Sequence, residues 1–318
     1  ISGGTTVAPT GPLQATGNIS VSGSGNITTA SSSTAAITSN TGSVAITSTA
    51  GTISVERNVT APSSITLTGD TLNLAANLNT TSSTGVVTIA PQTNSRVIDL
   101  GSEVSSRLSM TSAEVNRVSA GTLRIGASGG SNTGDINITA ALAPTGIPTL
   151  ALRTGSPGSV SSTGVRSITE TNLAVQAGGT ISLAANNVIS GSLALNSPAS
   201  TLTFNQTSGS FTPATVDGIS AEYGIPSSLT LSRVPTTQTE NRTLGQDFDP
   251  SPVATLRDEF SNALLAANSN SSRYSITVTR ATGTGEVSGT LVRSTTAGVA
   301  TFDNLRIDTN GGSHTLTF

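Results

Sequence analysis

The chain of 318 residues contains no cysteine, no lysine and a single histidine, His314. Without cysteine there is no disulfide framework and no thiol chemistry. Thiolate and histidine-rich metal sites are excluded for the same reason, and so is a phosphate-binding loop that depends on lysine. We therefore expect no enzyme, no catalytic residue, no cofactor and no metal site.

Charge is scarce as well. Charged residues make up 10% of the chain, and the formal net charge is −3. Charge spread so thinly provides no electrostatic footprint for nucleic acid or for an anionic membrane. No apolar run approaches the ~20 residues of a membrane helix. We expect neither a nucleic-acid partner nor membrane insertion.

Aromatic residues are missing from the first 203 positions, and all eight lie at or beyond Phe204. A break that sharp indicates two kinds of hydrophobic core: a narrow one filled by aliphatic side chains, and a wider one that admits rings. We expect a first domain at residues 1–224 and a second at residues 225–318.

Apolar residues of the first region recur in pairs with one polar residue between them. This spacing turns both apolar side chains to the same face of a short strand. The pairs are Ile19/Val21, Val44/Ile46, Ile53/Val55, Ile65/Leu67, Leu72/Leu74, Val87/Ile89, Leu123/Ile125, Ile136/Ile138, Leu150/Leu152, Leu173/Val175, Ile181/Leu183, Leu193/Leu195 and Leu202/Phe204. Turn-forming dipeptides such as Gly-Asn and Ser-Gly separate them.

The pairs also follow a longer period. Ile46, Leu67, Ile89 and Met110 are separated by 21, 22 and 21 residues. Periods of this length are typical of stacked repeats. They predict a right-handed parallel β-solenoid in which these four side chains form one interior column. An array of β-sandwiches is the alternative, and the absence of Asn-Gly hairpin signals from this region disfavours it.

A charged stretch interrupts the regular pattern. Thr111-Ser112-Ala113-Glu114 fits a capping box, which predicts a single helical turn that protrudes between coils at residues 111–118. The charges around it are Arg96, Asp99, Glu103, Arg107, Glu114, Arg117 and Arg124. We interpret them as solvated or mutually paired, with a ligand-binding patch as the alternative.

Several motifs carry a family resemblance over residues 15–220. They are Gly17-Asn18-Ile19-Ser20-Val21, Gly25-Asn26-Ile27-Thr28, Gly134-Asp135-Ile136-Asn137-Ile138, Val97-Ile98-Asp99-Leu100-Gly101, the segments 108–115, 120–126 and 173–179, and Thr215-Val216-Asp217-Gly218-Ile219. Their order resembles the solenoid regions of filamentous-haemagglutinin-like adhesins. The resemblance implies a secreted, extracellular protein of the bacterial cell surface.

The second region contains seven strand candidates. They are residues 228–231, 253–256, 274–278, 289–292, 299–302, 305–307 and 314–318. That number and spacing predict an immunoglobulin-like β-sandwich. The last three segments resemble invasin-type immunoglobulin-like repeats, in which Tyr is usual where His314 stands. Because His314 alternates with Leu316 and Phe318, we interpret it as a residue of the core or of its rim.

Two chemical alternatives concern carboxylates. A β-helix polysaccharide depolymerase would need two of them ~5–9.5 Å apart. The first 203 residues hold seven acids with no evident pairing: Glu56, Asp70, Asp99, Glu103, Glu114, Asp135 and Glu170. Asp247 and Asp249 are expected on one strand face, near Asp258 and Glu259, where calcium could bind. A polar loop entering a strand is the plainer interpretation.

These observations favour a structural or adhesive module of a surface or filament-forming protein, with the solenoid as rigid spacer and contact surface. A module that binds a surface glycan or a host or matrix ligand is the alternative. Both termini have the character of points of continuation, which predicts end-to-end self-association. Residues 1–14 are a possible extended arm that adds a strand across the junction.

Overall fold

The computed structural model describes residues 2–3, 6–8, 11–29, 36–127, 132–162, 164–197, 202–206, 208, 211–221, 228–233, 245–257, 274–283, 285–296, 298–308 and 314–318. The chain divides into two compact units, Ile1–Ala221 and Glu222–Phe318.

Short strands make up the first unit. They are β1 Ser2–Gly3, β2 Thr6–Val7, β3 Leu13–Ala15, β4 Ile19–Gly23, β5 Asn26–Thr28, β6 Ile37–Ser39, β7 Val44–Ser48, β8 Thr52–Val55, β9 Val59–Ala61, β10 Ser64–Thr68, β11 Thr71–Leu74, β12 Leu78–Thr80, β13 Val86–Ala90, β14 Ile98–Gly101, β15 Leu108–Thr111, β16 Val118–Ser119, β17 Thr122–Gly126, β18 Ile136–Ile138, β19 Thr149–Arg153, β20 Val160–Ser162, β21 Thr169–Glu170, β22 Asn172–Gln176, β23 Ile181–Ile189, β24 Ser192–Asn196, β25 Leu202–Gln206 and β26 Thr212–Pro213. One helical turn, α1 at Ser112–Val115, lies between β15 and β16.

The chain winds through three sheets in turn. A ten-stranded sheet has the order β1-β4-β7-β10-β13-β17-β19-β22-β24-β26, a four-stranded sheet β11-β8-β5-β2, and a five-stranded sheet β16-β12-β9-β6-β3. From β14 onward, one side of the solenoid is formed by a seven-stranded sheet. Its order is β15-β14-β18-β20-β23-β21, and β25 also pairs with β23. Neighbouring strands pair in parallel, and the unit is a parallel β-solenoid of about 8 turns. The predicted solenoid is confirmed, while its right hand stays a prediction that parallel crossovers favour.

Aliphatic side chains fill the interior. Every predicted apolar pair lies within a strand and is buried, apart from Leu202, whose burial lies outside the described residues. In the ten-stranded sheet Ile46 is opposite Leu67, and Leu67 is opposite Ile89. The 21–22-residue spacing therefore identified three members of one interior column.

The predicted fourth member of that column is wrong. Ile89 is opposite Ile125, and Met110 lies in β15 of the seven-stranded sheet. The coil that leads from Ile89 to Ile125 is longer than those before it, because it holds both β14 and β15 as well as α1 and β16. An inserted strand carries the same alternation as a stacked one, so spacing alone could not separate them.

The start of the chain also differs from its prediction. The described residues of segment 1–14 form β1, β2 and most of β3, which pair in parallel with β4, β5 and β6. These three strands belong to the first coil and not to an extended arm. Pairing with the next coil satisfies backbone groups that an arm would leave to water.

The second unit consists of small antiparallel sheets. Its strands are β27 Ser228–Arg233, β28 Val253–Arg257, β29 Ser275–Thr277, β30 Thr279–Thr282, β31 Val287–Ser288, β32 Val292–Ser294, β33 Val299–Thr301, β34 Arg306–Ile307 and β35 Thr315–Thr317. The sheets are β27-β28-β33, β29-β32, β30-β35 and β31-β34. A buried cluster of Ala254, Leu256, Ile276, Val278, Ala300, Phe302 and Leu305 joins them. Phe302 meets Phe318 edge to face, with 5.3 Å between the ring centroids. Among the described residues, the regular secondary structure is all β apart from α1.

Candidate functional site

The Gly-Asn and Gly-Asp motifs lie at the corners of the solenoid. Their side-chain oxygens accept a backbone N–H from the next coil, each at 2.9 Å: Asn18 from Ser43, Asn26 from Thr52, and Asp135 from Ser159. Corner backbone lacks a strand partner, so these side chains supply the missing acceptor. The Asn and Asp of these motifs are therefore engaged in holding coils together.

Glycine at the corners permits close stacking. A Cβ added at Gly51 would lie 2.2 Å from the carbonyl carbon of Gly25, one coil earlier. Between the two glycines, the buried Ser48 hydroxyl donates to the Gly25 carbonyl at 2.8 Å and accepts the Gly51 N–H at 2.9 Å. Any larger residue at Gly51 would push the coils apart.

The predicted helical turn forms, but it does not protrude. Thr111 and Glu114 make both hydrogen bonds of the capping box, which confirms that motif. Glu114 is 7% exposed and Val115 2%. The turn ends at Val115 and packs inward, because Val115 enters the apolar interior and the Glu114 carboxylate has partners there.

Besides Thr111, the carboxylate has a backbone partner in the preceding coil. Leu74, the last residue of β11, donates its N–H to Glu114 Oε1 at 2.9 Å. Its carbonyl accepts from Arg117 Nη1. The four-stranded sheet ends at β11, so the side chains of Glu114 and Arg117 make the hydrogen bonds to Leu74 that a next strand would make. Two of the charges predicted to be solvated or mutually paired instead complete the backbone bonding of the solenoid.

The remaining charges of this stretch are divided among several contacts. Asp99 is fully buried and accepts from Arg107 Nη1 at 3.1 Å to each oxygen. Arg96 pairs with Asp70 at 3.1 Å. The contact between Asp99 and Arg107 agrees with the prediction of mutual pairing, whereas Arg96 pairs with an acid outside the predicted set; both acids are engaged.

One pair of acids does come together. Partial burial raises the pKa of the Glu103 carboxyl; the hydrogen bond from Ser109 Oγ, at 2.7 Å, opposes this, and the nearby Glu114 carboxylate raises the pKa further. Both Glu114 oxygens are already occupied by hydrogen bonds. Sequence reasoning missed this pair, because Glu103 stands in the loop between β14 and β15 and not on a strand.

The seventh charge, Arg124, has a partner 93 positions away. Its Nε and Nη2 donate to the two oxygens of Asp217 at 2.9 and 2.6 Å. Arg153 Nη2 adds a contact to the same carboxylate at 2.8 Å. Burial raises the pKa of Asp217, but the hydrogen bonds and charges of the two arginines outweigh it and hold the pKa below its ordinary value. The sequence showed Arg124 and the Asp217-Gly218 turn separately and did not connect them.

Glu170 is the most strongly perturbed acid of the described chain. Its side chain lies on the buried face of β21, 7% exposed, and Oε1 accepts the Thr171 N–H at 2.7 Å. Within the described residues Oε2 has no hydrogen-bond partner. Burial raises the pKa of Glu170 to about 7, and the Thr171 bond offsets only part of that rise. Glu170 therefore titrates near neutral pH.

In the second unit, the calcium candidates do not share a strand face. Asp247 and Asp249 lie outside the strands, and Asp247 faces Arg306 at 3.7 Å. Asp258 and Glu259 lie outside the described residues. His314 is partly buried at the start of the segment whose Leu316 and Phe318 contact the apolar cluster.

The parts of the chain that the structure describes contain no group of three His, Cys, Asp or Glu side chains able to hold a metal ion. Among these same residues, no helix has the length and apolar character needed to span a bilayer. Comparison with known protein families, curated proteins and solved structures found no match to the chain.

Proposed function

We propose that the chain is a structural and adhesive module of a large secreted bacterial surface protein, with the solenoid as a rigid spacer. The observation that carries this proposal is the continuous parallel ladder of the ten-stranded sheet, from β1 to β26. The early coils also pair through the four- and five-stranded sheets, and the later coils through the seven-stranded sheet. Such an array resists bending and stretching, since any deformation must break backbone hydrogen bonds in several coils.

The second unit is proposed to be an immunoglobulin-like sandwich of the invasin-type repeat. Its antiparallel strand pairs and an apolar cluster of seven buried residues support this assignment. The sandwich would serve as a joint or repeat unit. An experimental structure of the full chain tests the assignment: two packed sheets are expected, and a single open sheet would contradict it.

Surface labelling tests the cellular part of the proposal. Antibodies raised against the purified chain should label intact cells of the producing bacterium, or filaments attached to them, before any permeabilisation. Labelling confined to permeabilised cells would overturn the extracellular assignment.

Glycan binding is the second candidate, and one observation favours it. The outward column of the seven-stranded sheet presents Asn137, Ser161 and Ser182 in register on adjacent strands, all partly exposed. Flat rows of hydroxyl and amide groups can exchange hydrogen bonds with sugar hydroxyls. A glycan array with the wild-type chain and with S182R, which blocks this row, separates the candidates. Signal that S182R abolishes supports the glycan module, and no signal supports the spacer.

The proposed role involves no catalysis. The carboxylates of the irregular coil hold backbone and arginine groups, as described for Glu114 and Asp99. Incubation with acidic and neutral polysaccharides should therefore leave chain length unchanged. Depolymerisation that disappears on mutation of a single acid would establish the depolymerase alternative.

A further inference from the structure

The outer face of the ten-stranded sheet changes character along the solenoid. In the early coils its outward side chains are partly exposed, as at Thr66 and Thr88. In the last coils Ala151, Ala174 and Ala194 occupy successive outward positions, and each is fully buried. Alanine facing outward from a sheet is buried only if something covers it.

The cover is the segment at residues 214–221, hereafter the strap. Val216 and Ile219 pack on the three alanines in one buried cluster and bond to each other through their backbones. Asp217 and Gly218 between them have φ of +50° and +72°, as in the tight two-residue turn of a hairpin. The strap therefore lies across β24, β22 and β19.

The tip of the strap is clamped beyond those strands. Arg124 lies in β17 and is opposite Ala151 in register, so it continues the outward column. Arg124 and Arg153 converge on the Asp217 carboxylate, which is 8% exposed. These three side chains are hereafter called the Asp217 clamp. Two guanidinium groups on one shielded carboxylate make charge-assisted bonds that solvent weakens little. From β24 to β17 the strap covers ~14 Å of sheet, at about 4.8 Å per strand.

We propose that the strap locks the last coils of the solenoid, so that they open together and only after the Asp217 clamp has broken. A solenoid ordinarily frays from its ends one coil at a time. The terminal strand β26 has two residues and would fray first. Because the chain continues from β26 into the strap, β26 cannot leave while the strap remains bound to β17.

The strap also determines where tension acts. It is the last segment of the first unit, which ends at Ala221. A pull that enters through the chain at residue 222 reaches the clamp before it reaches β26. This conclusion follows from chain order and holds whether or not the module is adhesive.

Hydrogen exchange of the full chain, measured by mass spectrometry, tests the proposal with D217N. Asparagine accepts positive φ, so the turn is retained while the charge is lost. Amides of β22 and β24 should exchange ~10- to 100-fold faster than in wild type, and those of β7 and β10 should be unchanged. The matched control is D303N, which breaks the exposed ion pair with Arg293 in the second unit and should leave all four strands unchanged.

Two results would overturn the lock. Unchanged exchange of β22 and β24 in D217N would show that the clamp holds nothing. Equal acceleration in β7 and β10 would show that Asp217 supports the whole solenoid and not its last coils. If D217N does not fold, R153Q removes one of the two arginines and should give a smaller acceleration confined to the same strands; none would also overturn the proposal.

Discussion

Neighbouring residues of one strand in this solenoid lie on opposite faces, one in the apolar interior and the other towards solvent. Ile89 is 1% exposed inside the solenoid, whereas Thr88, next to it in β13, is partly exposed on the outer face. Above and below Ile89 stand Leu67 and Ile125. A polar group at this position would have only hydrocarbon around it, and the same group one residue earlier would meet water.

This contrast predicts the effect of a buried charge. I89D should lower the free energy of unfolding by about 3–5 kcal/mol, since the carboxylate is buried without a partner. The matched control T88D should cost less than ~1 kcal/mol, because it places the same carboxylate in water. Denaturant titration followed by circular dichroism measures both. Equal losses would mean that the assignment of inner and outer faces is wrong.

Glu170 predicts a pH dependence of stability. Its folded pKa of about 7 lies above the unfolded value, near 4.3. A raised acid pKa means that the folded state binds the proton more tightly. The contribution of Glu170 to the free energy of unfolding is fully present below the unfolded pKa and is lost as the pH rises through 7. The loss should be on the order of 2 kcal/mol, after allowance for solvent screening.

Unfolding titrations between pH 4 and pH 8 test this expectation. E170Q cannot ionise, so it should be more stable than wild type at pH 8 and should have a flatter profile. The control E56Q replaces an exposed turn residue and should keep the wild-type slope. If the stability of E170Q depends on pH as steeply as that of the wild type, Glu170 is not the source of the dependence.

At the scale of elements, corners hold the coils in register. Asn172 begins β22 and links three successive coils. Its Oδ1 accepts the Ser192 N–H at 2.9 Å, and its Nδ2 donates to the Pro148 carbonyl at 3.1 Å. N172A leaves both backbone groups without these partners and should cost about 1–3 kcal/mol.

The control for this prediction is N73A. Asn73 is exposed on the outer face of β11, so the free energy of unfolding of N73A should be within ~0.5 kcal/mol of the wild-type value. Thermal unfolding of both variants gives the comparison. If N172A lowers stability no more than N73A does, the strand ladders alone hold the coils in register.

At the scale of the whole molecule, an isolated chain of these 318 residues presents unpaired strand edges at β1, β2 and β3. Among the described residues, β1, β2 and β3 each pair on one side only. Exposed edges of this kind invite another strand. We expect copies to associate end to end, so that the mass measured by light scattering should rise with concentration.

Deleting residues 1–14 is a poor test of this association, because it would expose the edges of β4, β5 and β6 instead. T6K/Q14K places lysines on two edge strands, which discourages pairing, and should lower the mass at high concentration. T66K adds a lysine in mid-solenoid and should behave as wild type. A wild-type chain that stays monomeric at every concentration would contradict end-to-end association.

Much of the fold could be predicted because its signals are local. Alternation of apolar and polar residues placed the strands and their inner faces, as at Val44/Ile46 and Leu193/Leu195. The capping box placed α1. The engagement of Glu114 with Leu74 could not be predicted, since it depends on where the four-stranded sheet stops.

By itself the sequence determined an all-β chain, the spacing of 21–22 residues that stacks Ile46, Leu67 and Ile89, and an aliphatic interior. These follow from side-chain periodicity, which neighbouring residues express regardless of the rest of the chain. Only the tertiary structure decided that Met110 leaves the column of Ile89, that β1, β2 and β3 form a coil, and that Asp217 meets Arg124. Each of these depends on how much chain loops out between strands, and a loop changes the stacking partner without changing the alternation.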